Sequence, residues 1–100
     1  MEYDFEKRYN EWIREVQEII EHTKLSARRC DIRKTLLQYA LAEDLFQTGL
    51  THWFSWIELP EEQRRKVAEG RDKLRQMLND TRSEVARILK EQCHCKVTGG

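Results

Sequence analysis

Apolar side chains recur at helical spacing along almost the whole chain. Phe5, Tyr9, Trp12, Val16 and Ile19 follow one another at intervals of 4, 3, 4 and 3, with Ile13 and Ile20 widening the stripe and Glu6, Glu11, Arg14, Glu15 and Glu18 on the outer face. This predicts a first helix over about residues 4–24. Extending the stripe lands on Thr23, Ser26, Cys30 and Arg33, which are polar, while a new stripe starts at Ile32 and runs through Leu36, Tyr39, Phe46, Leu50, Trp53 and Ile57. At about 100° per residue the two stripes are more than half a turn out of phase. A break is therefore expected between His22 and Ala27, with Ser26 as an N-cap; one continuous helix from Asp4 to Thr48 is the alternative.

The second helix is predicted over about residues 27–58. It carries a further apolar row at Leu37, Leu41 and Leu45 beside Ala40, and so reads as the central helix. Gly49 weakens it without ending it. Leu59-Pro60-Glu61-Glu62 marks the next start, since Pro and acidic residues suit the first turn of a helix. A third helix over about 60–93 follows through Val67, Leu74, Met77, Leu78, Thr81, Val85, Ile88 and Leu89. Residues 1–96 read as one domain and 97–100 as a flexible tail.

Short connections make consecutive helices antiparallel, so the predicted architecture is an all-α, up-down-up bundle of three long amphipathic helices. At about 1.5 Å per residue the first helix reaches about 30 Å and the second nearly 48 Å. The tip of the longer hairpin should then project past the first helix, exposing Leu50, Trp53, Phe54, Trp56 and Ile57. An apolar patch of this kind points to an interface, with dimerisation completing the bundle.

Composition supports helices over strands. The chain has 100 residues, 36% of them charged, with one Pro and four Gly, which fits one domain in which each helix buries only a stripe. The N-terminal stretch has no apolar core of a leader, and no apolar run approaches the roughly 18 residues of a membrane span. Three cysteines, Cys30, Cys93 and Cys95, do not make the even framework of a secreted scaffold. A cytoplasmic, reducing location is expected, with no membrane and no cofactor.

Charge sums to zero but is uneven. Residues 22–34 and 82–100, which the topology brings to one pole, hold nine basic and three acidic residues. Arg28, Arg29, Arg33 and Lys34 read as opening the second helix against its dipole. Residues that break a local rule are candidates for function, and these four form a candidate nucleic-acid or anion contact.

Cys93-His94-Cys95, with Cys30 across the pole, is a candidate metal set, although adjacent helical positions diverge too far to ligate together unless the helix has ended. The ordinary-thiol reading is preferred to a metal site or a disulfide. Arg87 and His94 are separated by six residues, which resembles the Arg-x(4–6)-His element of the HEPN family of helical ribonucleases and toxin partners. That resemblance covers this pair alone, and Ile88 departs from the polar residue that often follows the family's Arg. It implies His94 as general acid or base and Arg87 as the phosphate-stabilising group. Glu91 and His94 make one Glu-x-x-His pair where carboxylate bundles need two. The reading that best fits the whole chain is a helical protein-interaction or oligomerisation module without catalytic activity, partnered by a second copy or another helical protein. The alternative is a nucleic-acid-binding protein with HEPN-like ribonuclease or antitoxin character.

Overall fold

A computed structural model describes residues 4–54 and 59–93. The chain runs through α1 (Phe5–Arg28), α2 (Ile32–Thr48), a π-helical turn (Gly49–Trp53) and α3 (Glu61–Gln92), and there is no strand among the described residues. The all-α, up-down-up expectation holds. The boundaries move, and each shift has a local cause.

The first break lies at residues 29–31 instead of 22–27. Cys30 N–H bonds the Ala27 carbonyl at 2.9 Å and Asp31 N–H bonds the Ser26 carbonyl at 3.0 Å, the paired closure of a Schellman motif. Cys30 takes the left-handed position, φ 59°, where glycine is usual. The next residue starts α2: the Asp31 carboxylate accepts from Lys34 N–H at 3.0 Å, as an N-cap should. Ser26 is buried inside α1 and caps nothing. At the other end of α1, Asp4 accepts from Lys7 N–H at 3.1 Å.

α2 ends far short of residue 58. At Gly49 the helix widens into a π turn closed by Phe54 N–H on the Gly49 carbonyl, 3.1 Å. α3 then begins with Pro60 in the cap position and Glu61 and Glu62 in its first turn.

α1, and not α2, is the central helix: it packs extensively on both others, whereas α2 meets α3 only lightly. The register of α1 on α3 is nearly constant, offset by about sixty positions: Lys66 donates to Glu6 at 2.7 Å, Gln17 to the Met77 sulfur at 3.7 Å, and Lys24 pairs with Glu84 at 3.5 Å. The two helices therefore run parallel, and α2 lies antiparallel on α1. It reaches α3 through the Tyr39 hydroxyl, which donates to the Leu78 carbonyl at 3.1 Å, and through Phe46, whose ring lies under the Arg75 guanidinium at 5.7 Å. The result is a slab of 55 × 23 × 16 Å with a radius of gyration of 16.3 Å, longer than the ~13 Å of a compact chain this size.

Trp12 is the centre of the core and is fully buried. Phe46 stacks on it at 6.0 Å, and the edge of Phe54 meets it at 5.2 Å. Phe5 and Tyr9 close the cluster around Phe54. Two glycines make room for this packing. A Cβ on Gly49 would fall inside the Trp12 indole, 2.7 Å from Cε2, and one on Gly70 would stand 2.6 Å from the Tyr9 hydroxyl. At the opposite pole the core turns small: buried Thr23, Thr35 and Thr81 each donate to the carbonyl four residues back, which satisfies the hydroxyls without a partner helix.

Candidate functional site

The inner face of α2 is defined by Thr35, Ala42 and Phe46, with Tyr39 half-buried beside them. At helical spacing this leaves Arg33, Leu36, Leu37, Ala40, Leu41 and Asp44 on the outer face, and all six are exposed. Leu36 is 62%, Leu37 58% and Leu41 46% exposed. Leu37 and Leu41 thus do not form the second core row that the apolar pattern predicts. Their exposure follows from topology: α3 packs beside α1, so among the described residues no element stands over the outside of α2. Arg33 and Asp44, at the two ends of the row, make no ion pair among the described residues.

Leu50 and Phe54 do not project as expected of the hairpin tip. They are 7% and 0% exposed and lie in the chain's own core. The π turn at Gly49 swings them inward, where Phe54 supplies the apolar edge that Trp12 would otherwise lack. Trp53 is half-buried, packs against that core and has the Arg8 guanidinium over its ring at 5.3 Å. Trp56 and Ile57 lie outside the described residues.

The basic pole is also rearranged. Arg28 and Arg29 end α1, where cations suit the dipole, and do not open α2. Arg28 pairs with Glu84 at 3.7 Å, the carboxylate that also holds Lys24. Only Arg33 and Lys34 sit in the first turn of α2 against its dipole. Arg29 and Lys34 border one shallow depression with His22, Leu25, Ser26 and Gln38.

Cys30 and Cys93 are joined in a disulfide, Cα–Cα 5.4 Å, that ties the α1–α2 turn to the end of α3. The ordinary-thiol expectation is thereby corrected for both residues, and a disulfide sulfur is not the thiolate that a metal requires. The bond also removes the cysteine-count argument for a reducing compartment. Cys95 and His94 lie outside the described residues, and among the described residues no group of three or more His, Cys, Asp or Glu could hold a metal. Arg87 pairs with Glu91 one turn on, 3.3 Å, so the carboxylate of the Glu-x-x-His pair faces a guanidinium. Glu43 is exposed on α2, close enough to Tyr39 to help raise that phenol's pKa, although burial is the larger cause.

No helix among the described residues is long and apolar enough to cross a membrane. Comparison with family models, with curated proteins and with solved structures yields no match to this chain.

Proposed function

We propose that this chain is a non-catalytic helical interaction module whose working surface is the outer face of α2 and whose partner is a second copy of itself. The observation that carries this reading is the exposure of Leu36, Leu37 and Leu41 along one face of one helix. Each leucine withdrawn from water contributes about 1.5–3 kcal/mol when buried fully, and contiguous apolar patches on small proteins commonly mark interfaces. The rest of the molecule suits a scaffold: Phe46 and Ala42 anchor α2 from behind, and the disulfide ties down the turn that leads into it.

Sedimentation of wild type against a Leu37→Glu, Leu41→Glu double variant tests the reading. Both positions are exposed, so the monomer should keep its helical spectrum and melting temperature while its self-association disappears. An unchanged association constant would move the interface elsewhere.

A second reading, a nucleic-acid contact at the pole, is favoured by Arg29 and Lys34 bordering the same depression. Replacing Arg28, Arg29, Arg33 and Lys34 with Ala should then abolish a gel shift with a short RNA or DNA oligonucleotide. Wild-type binding should weaken steeply with salt, as phosphate contacts do. Absence of any shift at low salt discards this reading.

A further inference from the structure

We infer that two copies associate through α2 in an antiparallel, two-fold arrangement with one register, in which Arg33 of each copy meets Asp44 of the other. This rests on the proposal that the outer face of α2 is the contact surface, and it specifies the occupant's orientation. Arg33, Leu37, Ala40 and Asp44 follow at intervals of 4, 3 and 4 and so form one line along the exposed face, flanked by Leu36 on one side and Leu41 on the other.

A two-fold axis between positions 38 and 39 places Leu37 of one copy opposite Ala40 of the second copy, large against small, so that the helices can approach closely. The same axis sets Arg33 opposite Asp44 of the second copy, twice per dimer. Leu36 then neighbours Leu36, and Leu41 neighbours Leu41, as the two flanks of the seam. A parallel pairing would instead set Arg33 against Arg33 and Asp44 against Asp44, like charges at both ends. The charge order along the face thus selects the antiparallel pair. Two observations make these charges available. Neither has an ion pair among the described residues, and Arg33, in the first turn of α2, opposes the helix dipole, so intrahelical electrostatics do not account for it there.

The seam covers about three turns, short beside a standard interface, so self-association on the order of tens of micromolar is expected. The test is charge reversal, read by sedimentation equilibrium. Arg33→Asp alone sets its new carboxylate against Asp44 of the second copy, and Asp44→Arg alone places two guanidinium groups together; each should weaken self-association about tenfold. The double variant Arg33→Asp, Asp44→Arg restores both pairs and should return to the wild-type constant, as should an equimolar mixture of the two single variants. Both substitutions favour the α2 dipole, so the melting temperature should not fall and misfolding cannot mimic the result. If Leu37→Glu, Leu41→Glu abolishes association but the single reversals leave it unchanged, the face is the interface and the antiparallel register is wrong. If the single variants weaken association and the double variant does not recover, the Arg33–Asp44 pairing is overturned. A wild type that stays monomeric to about millimolar concentration, well beyond the expected range, overturns the register together with the reading it rests on.

Discussion

The Trp12 indole lies directly against the backbone of Gly49, so close that the chain can tolerate no side chain there: a Cβ would stand 2.7 Å from Cε2 and nearer still to Cδ1 and Nε1. Gly49 is also where α2 opens into the π turn that carries Phe54 onto the same indole. One contact thus couples the end of α2 to the centre of the core. Gly49→Ala should destabilise by about 1–3 kcal/mol through overpacking, although Ala is the better helix former. The check is a thermodynamic cycle with Trp12→Leu in urea: the loss at position 49 should shrink when the indole is gone. Equal losses in both backgrounds would place the cause in the π turn itself.

Gly70 gives a sign test in the middle of α3. An exposed helical Gly→Ala change is expected to stabilise by about 1 kcal/mol. Here the Tyr9 ring occupies the space, with its hydroxyl 2.6 Å and Cε1 3.0 Å from the added Cβ. Gly70→Ala should therefore lower the denaturation midpoint in the wild type and raise it in a Tyr9→Ala background.

The disulfide closes a loop of sequence separation 63, which on chain entropy stabilises the fold by on the order of 4 kcal/mol. Cys30→Ser should lose up to that amount under oxidising conditions, and the gap should close when dithiothreitol is added to both proteins. In reductant Cys30→Gly should exceed Cys30→Ser by about 1 kcal/mol, because φ is 59° at this position and glycine adopts it without cost. Equality of the two variants would show that the turn relaxes once the bond is cut.

Burial raises the Tyr39 phenol above its ordinary pKa, with Glu43 adding to the shift and Arg82 opposing it; burial likewise raises Tyr9 against the pull of Lys66. In each case the folded state holds its proton more tightly than the unfolded chain. Their contribution is therefore complete below the unfolded value of about 10 and is lost as pH rises through the folded values. Stability measured by urea titration should decline from about pH 10 upward, and Tyr9→Phe, Tyr39→Phe should flatten that decline. At Tyr39 the same change removes the bond to the Leu78 carbonyl, costing about 1 kcal/mol at neutral pH.

The helical class, the number of helices and the start of α3 were written in the local pattern, because a 3.6-residue repeat of apolar positions and the Pro60-Glu61-Glu62 signal act within a few residues of one another. The polar residues Thr23 and Ser26 read as the end of the first stripe, yet both are buried on α1, which continues it to Arg28. Where it fails was less legible: the turn at 29–31 depends on Cys30 in a left-handed conformation that sequence assigns to glycine, held by a cysteine 63 positions away. Only the tertiary structure decided which apolar row of α2 faces inward. Leu37 and Leu41 are more hydrophobic than Thr35 and Ala42, yet the small residues are buried, because α1 lies close against that side and none of the described elements covers the other. Nor could periodicity foresee that Leu50 and Phe54 turn back to complete the cage around Trp12. That choice rests on a missing side chain at Gly49, and the space it leaves exists only once the helices have packed.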